Sequence, residues 1–289
     1  MLDHTDLKPA IRRRYEYIEF AVFWEGSVGR RKLQDQFAIS PQQATKDLTA
    51  YSEIAPENLR YDPRQKTYLA GRSFEPCFTT CDAATYLSQI EALDRGQKSR
   101  EEIWPTFLPT YAIASSRTRK IQAKVLQDLL RAIRDKLVLS AGYTSMSSPA
   151  GLRRHLVPHA IASDTHRWHV RAYDLDNARW SDFVISRLTE VKVERAADPV
   201  PPDRKWTDMV KIILQVDPRL EEPKRVAIER EYEMRNGRMI LSASRAMLFY
   251  DLRHHGFDPR KIMKGDAAES SFQLDIVNID EVREWLGRD

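Results

Sequence analysis

Between Lys136 and Val193 the apolar residues recur at strand spacing rather than helical spacing, and this pattern limits the fold more than any other feature. KLVLSAGYTSM, RRHLVPHAIA, RWHVRAYD, RWSDFVISRL and LTEVKV each read as a short strand. Five short strands joined by tight turns predict a small barrel or a curled antiparallel sheet, with Asp174–Ala178 turning the third strand into the fourth. RWHVRAYD, residues 167–174, is the most informative of them. Alternation sends Trp168, Val170 and Ala172 to a core side and Arg167, His169, Arg171 and Tyr173 to the other.

That second face has two readings. It can be a solvated outer surface whose cations pair with Asp164, Asp174, Asp176 and Asp182. Alternatively it is an anion site, with Arg171 and Arg187 as bidentate forks, His169 as a further donor, and Tyr143 and Tyr173 as stacking surfaces for a base. Arg187 shares parity with Phe183 and Ile185, so a regular strand would turn it inward. Either the strand ends or bulges there, or the guanidinium is partly buried and paired.

Upstream, residues 14–24 carry a helical apolar pattern that stops at Glu25-Gly26, and Arg30–Phe37 reads as a second, shorter helix. Ser40 is then a good N-cap, Pro41 takes the favoured first position, and Gln43 completes a capping box. The helix so opened points Ala44, Leu48 and Tyr51 inward, leaving Gln42, Gln43, Thr45, Lys46 and Thr49 outward. A β-hairpin follows, turning at Asp62-Pro63-Arg64-Gln65. Helix, helix, capped helix and hairpin is the layout of a winged helix-turn-helix, whose third helix reads base edges in the major groove. Glutamine suits adenine and lysine suits guanine or phosphate. The candidate DNA contacts are therefore Arg30, Arg31, Ser40, Gln42, Gln43, Thr45, Lys46 and Thr49, with Arg60, Arg64 and Lys66 on the wing. Asp47 is the unfavourable charge and is expected to point toward the protein. A winged helix that docks a protein rather than DNA is the alternative.

Residues 82–96 and 118–138 read as helices, the second with a basic face of Arg119, Lys120, Lys124, Arg131 and Arg134 that fits a solvated surface better than a phosphate track. AADPVPPD, residues 196–203, is a proline-rich linker into a small α+β segment. A net charge of +4 permits a nucleic-acid partner without demanding one. No apolar run reaches the roughly 20 residues of a membrane span. Two cysteines, Cys77 and Cys81, imply free thiols in a reducing cytosol and no zinc site. There is no phosphate-binding glycine loop, G-x-S-x-G or H-E-x-x-H motif, so no enzyme, metal or cofactor is expected.

Taken in order, SAGYTSMSSP, Arg154, Trp168-His169-Val170, Phe183 and Arg187 resemble a WYL domain, with His169 in place of the middle Tyr of the Trp-Tyr-Leu strand. The flanking segments resemble the winged helix and the C-terminal WCX dimerisation domain of the BrxR and CapW group, regulators of bacterial anti-phage defence loci. The resemblance covers nearly the whole chain. It implies an α+β multidomain protein: a winged helix-turn-helix over residues 1–76, a helical linker over 77–138, an Sm- or SH3-like WYL barrel over 139–195, and a dimerisation domain over 196–289. It further implies a cytoplasmic homodimer that binds double-stranded DNA at an inverted repeat and represses a defence operon. An anionic nucleotide-like or oligonucleotide effector would bind at Tyr143, Arg154, His159, His169, Arg171 and Arg187, to which the strand pattern adds Tyr173. An adaptor or a nucleic-acid-processing enzyme are the other readings.

Overall fold

The computed structural model describes residues 7–114, 120–145, 151–266 and 269–287. The chain divides into two compact units at about residue 115.

In the first unit, helix α1 (Pro9–Glu25) starts with proline at its first position and stops at Gly26, whose φ of 74° closes it in the left-handed region. Strand β1 (Ser27–Val28), helix α2 (Arg30–Phe37) and helix α3 (Pro41–Ile54) follow, then the hairpin of β2 (Leu59–Asp62) and β3 (Thr67–Ala70). The three strands form an antiparallel sheet in the order β1-β3-β2. Tyr17, Ile18, Leu33, Ala44, Leu48 and Tyr51 meet in the core beneath α3. Helix α4 (Ala83–Asp94) lies against α1 through stacked Phe20 and Tyr86 rings, 5.8 Å apart.

Two buried carboxylates align this unit. Asp47 does turn inward from α3, and Arg14 of α1 grips it through two hydrogen bonds of 2.6 and 3.1 Å. Glu19 is fully buried. It accepts from the Tyr51 hydroxyl at 2.9 Å and from the backbone N–H groups of Cys77, Phe78 and Thr79 at 2.7, 2.8 and 2.9 Å. The chain leaving the wing is thereby tied to α1 and α3. Gly71 is required there, because a Cβ would lie 1.7 Å from the Glu57 carbonyl oxygen.

In the second unit, helix α5 (Ala123–Asp135) packs on five antiparallel strands: β4 (Leu137–Tyr143), β5 (Leu152–Ser163), β6 (Trp168–Asp174), β7 (Arg179–Val184) and β8 (Leu188–Ala196). Their order is β7-β6-β5-β4-β8. Among the described residues the end strands β7 and β8 do not pair, so the sheet is open and the expected barrel does not close. The reason is that both faces are covered from outside. Val125, Leu129 and Ala132 of α5 meet Leu139, Leu156, Val170 and Ala172 on one side. The segment after Ala196 and a C-terminal helix cover the other. Trp168 also departs from expectation. It begins β6 at the rim of the sheet and is 49% exposed, whereas Val170 and Ala172 are core.

Short helix α6 (Arg204–Thr207) leads into β9 (Met209–Val216), the middle of a three-stranded sheet with β10 (Arg238–Ser244) and β11 (Leu274–Ile276). Helices α7 (Glu222–Glu231), α8 (Leu248–His254), α9 (Pro259–Lys264) and α10 (Ile279–Gly287) complete this part. Ile212, Leu214, Leu248, Leu252, Ile262 and Val282 form its core.

Glu19→Gln replaces one acceptor oxygen with a donor facing buried donors. It should lower stability by about 2 kcal/mol or more in urea unfolding of the full chain. A loss below about 0.5 kcal/mol would show that the Glu19 cluster does not hold this unit together.

Candidate functional site

Two surfaces carry the candidate contacts, the winged helix and the polar face of β6. On the winged helix, the Ser40 hydroxyl accepts from the Gln43 N–H at 3.1 Å and caps α3. Gln42, Thr45, Lys46 and Thr49 are exposed along that helix, as expected. Gln43 is half-buried, because its amide donates to Asp47 at 2.8 Å. Its position is therefore set by the Arg14–Asp47 pair, a link invisible to helical spacing. Thr45 returns its hydroxyl to the Pro41 carbonyl at 3.0 Å. Arg30, Arg31, Lys32, Gln34, Gln65 and Lys66 line an open concavity of about 510 Å³ between α2, the start of α3 and the wing. Lys32 is engaged by Glu25 at 2.6 Å, while Arg30, Arg31 and Lys66 are exposed. Arg60 on β2 and Arg64 in the hairpin turn are exposed on the wing.

The basic face of the 118–138 stretch is less available. Its helix begins only at Ala123, Arg119 lies outside the described residues, Lys124 bonds Asp128 at 2.6 Å, and Arg134 grips Asp135 at 2.7 Å.

The second surface is the polar face of β6. It is largely buried rather than solvated. Arg171 is 5% exposed and His169 4% exposed. Arg171 stands opposite Asp182 across the β6–β7 pair and donates to it at 3.2 Å. Its other two donors grip Asp203, Nε to Oδ2 at 2.7 Å and Nη2 to Oδ1 at 3.0 Å. Of the carboxylates nominated from sequence only Asp182 serves Arg171. Asp203, the last residue of the proline-rich stretch, was unrecognised there because nothing in its spacing ties it to β6. A β-bulge between Pro158 and Ala160 places His159 on the same face, with Nε2 3.0 Å from Asp203 Oδ2. Burial alone would raise the Asp203 pKa, but hydrogen bonds and charge from Arg171 and His159 outweigh it and push it below its ordinary value. Tyr173 meets Trp180 edge-on at 5.4 Å, and His159 lies between Trp180 and Trp206 at 4.7 and 5.5 Å.

His169 is covered by Tyr250 of α8, with rings 5.0 Å apart, and its Nδ1 has no hydrogen-bond partner among the described residues. Burial lowers its pKa against the upward pull of Asp164 and Asp182. The Tyr250 hydroxyl donates to Asp182 at 3.3 Å. Strand β7 ends at Val184, and Ile185–Arg187 form a 3-10 turn that leaves Arg187 half-buried, without an ion pair among the described residues. Arg167 folds back on Asp164 at 3.1 Å, Arg154 faces Asp174 at 3.6 Å, and the Tyr143 hydroxyl accepts from the Val184 N–H at 3.2 Å. The predicted pocket residues therefore separate. His159 and Arg171 meet at Asp203 while Tyr173 packs on Trp180, His169 lies under Tyr250 of α8, Arg187 ends the 3-10 turn, and Arg154 faces Asp174.

Burial raises the Cys77 thiol and takes Cys81 up to about 11, and no described cluster of His, Cys, Asp or Glu could hold a metal ion.

Three family models match the chain in sequence order. Residues 10–92 match the winged helix-turn-helix domain of the BrxR transcriptional regulator, 124–193 the WYL domain, and 209–282 the BrxR C-terminal dimerisation domain. Together with the geometry above, that order defines a transcriptional regulator of the winged-helix, WYL-domain class. The repressor CapW of Stenotrophomonas maltophilia is 34% identical over 96% of this chain and 92% of its own length. CapW of Pseudomonas aeruginosa is 33% identical over 95% and 91%. Both are named DNA-binding transcriptional repressors. The chain belongs to this BrxR/CapW family. Among solved structures, the proteasome accessory factor PafBC of Arthrobacter aurescens is 13% identical over 96% of this chain and 46% of its own, at a TM-score of 0.32, too distant to bear on the argument.

Burial holds the His169 pKa below its ordinary value, so as pH falls through about 6.5 the unfolded chain takes up that proton more readily than the folded one. Stability should therefore fall as pH drops from 7.5 to 5.5, before the Asp203 contribution is lost below about pH 4. His169→Gln should flatten that part of the dependence in urea melts. Equal slopes for the two proteins would show that His169 titrates freely.

Proposed function

We propose that the chain is a homodimeric, cytoplasmic DNA-binding repressor of an anti-phage defence operon, without enzymatic activity of its own. Its winged helices read the halves of an inverted repeat, since a two-fold dimer matches a two-fold site. The supporting observation is the exposed cationic concavity at α2, α3 and the wing, beside a recognition helix whose Asp47 is turned away by Arg14. Residues 1–76 form the DNA-reading part in this proposal, 77–138 the connection, 139–195 the sensing sheet and 196–289 the dimerising part. Gln42 and Lys46 take base edges, and Gln43 stands beside them in the orientation that the Arg14–Asp47 pair sets. Arg30, Arg31, Arg60, Arg64 and Lys66 take phosphates, with Ser40, Thr45 and Thr49 beside them. An anionic, nucleotide-like or oligonucleotide effector acts on the polar face of β6 and releases DNA by favouring a different arrangement of the dimer. Arg171, His159 and Tyr173 lead that site. Tyr143, Arg154, His169 and Arg187 belong to it only if the effector changes the contacts they now make.

Gel shifts with the operon's own upstream DNA check the reading. Arg64→Ala should weaken binding to every duplex and reduce the salt slope by about one. Gln42→Ala should cost about 1–3 kcal/mol of discrimination between operator and scrambled DNA. Binding that ignores salt, or no binding to any duplex, would refute it.

A further inference from the structure

The cation expected to receive the effector already holds two carboxylates. Arg171 presents its donors to Asp182 and Asp203, and His159 turns to the same Asp203 oxygen. An anion approaching this site therefore meets two carboxylates around one guanidinium, an arrangement that repels a third negative charge. Yet the concavity above the pair is strongly basic. Arg171 and Asp203 lie in the wall of an open space of about 740 Å³, together with Arg179, Arg204, Lys205, Arg245 and Asp208. Arg179 and Arg204 are exposed and form no ion pair among the described residues. Such a volume suits a mononucleotide-sized ligand.

Asp203 is also where the sensing sheet is joined to the C-terminal part. Trp180 donates its indole N–H to the Pro201 carbonyl at 3.0 Å, which lays the proline stretch on β7. Two residues later Asp203 docks on Arg171 and caps α6, and α6 is tied to β10 because the Lys205 carbonyl accepts from the Ala246 N–H at 2.8 Å. A change at Asp203 is thus transmitted to the segment that enters the C-terminal sheet.

We propose that Asp203 is an intramolecular counter-anion holding the place of a phosphate monoester, and that ligand binding exchanges it off Arg171. The ligand phosphate takes the two donors that Asp203 held, while Arg179, Arg204 and Arg245 receive its remaining oxygens. Asp203 leaves as a carboxylate into solvent, so no proton or bond changes hands, and the linker from Pro201 to Asp208 loses its anchor. This rests on the reading of the β6 face as an effector site and adds the ligand class, the four basic residues Arg179, Arg204, Lys205 and Arg245, and the displaced group.

The full chain is titrated by calorimetry with inorganic phosphate, a nucleoside 5′-monophosphate and a dinucleotide bearing only an internal phosphodiester. The monophosphate should bind wild type weakly and Asp203→Asn about tenfold more tightly, because the competing carboxylate is gone. The Arg179→Ala/Arg204→Ala double variant should bind it less tightly than wild type. Phosphate binding as well as the nucleotide would identify the free anion as the ligand, and tighter binding of the dinucleotide would overturn the monoester assignment. If Asp203→Asn fails to fold, hydrogen exchange on wild type decides. Saturating monophosphate should speed amide exchange over residues 203–208, and binding without faster exchange there overturns the displacement. No binding of any probe by any of the proteins, with operator binding intact in gel shifts, overturns this inference and leaves the DNA-binding reading standing.

Discussion

The buried charge of Arg171 is the constraint around which the second unit is organised. A guanidinium on the middle of a strand, shut away from water, is unacceptable without counter-charges, and leaving it unpaired costs about 3–5 kcal/mol. One counter-charge is local, since Asp182 stands directly across from it in the β6–β7 register. The other arrives from residue 203 and can reach Arg171 only if the proline-rich stretch runs back over the sheet. That route puts Trp206 against His159 and delivers α6 to the edge of the C-terminal sheet. With Tyr250 lying on His169, the polar face of β6 becomes an interior surface. An open sheet results, covered on both faces, rather than a barrel with one lining.

The first unit solves its geometry by the same means. Asp47 and Glu19 are carboxylates buried by α3 and α1, and each is satisfied by groups distant in sequence. The Arg14–Asp47 pair removes a negative charge from the surface proposed to meet DNA and simultaneously orients Gln43. Glu19 gathers three successive backbone N–H groups after the wing, so the wing and α3 are held to the same helix. In both units a charge that looks unfavourable in the linear sequence is the group that fixes tertiary placement.

This explains how much was legible beforehand. Features set by neighbours in the chain were readable: the Ser40-Pro41 start of α3, the stop at Gly26, the Asp174–Ala178 turn and the alternation of Val170 and Ala172. Readings that assumed a residue's burial from parity alone were not secure. Trp168 has core parity but sits at the strand's first position, where the sheet ends. Arg171 and His169 have outward parity, yet the outward side is occupied by Asp203 and Tyr250, 32 and 81 residues further along. Strand period distinguishes two faces and says nothing about what covers either. The bulge that swings His159 toward Asp203 is likewise a property of pairing and leaves no local mark.

A sensor must bind its ligand better in one state than in another, since a ligand with equal affinity for both shifts nothing. An empty, solvated anion pocket on a rigid sheet would meet that requirement poorly, because filling it need move nothing. A pocket whose cation is already held by a carboxylate of the connecting segment meets it by construction. In the proposed exchange the ligand and the linker compete for the same donors on Arg171, which makes ligand affinity and linker docking two readings of one equilibrium. On that proposal the cost of displacing Asp203 would be subtracted from ligand affinity, and by reciprocity whatever strengthened linker docking in a DNA-bound dimer would weaken ligand binding equally. The strength of a single buried ion pair would then set both how much ligand is needed and how firmly DNA is held before it arrives.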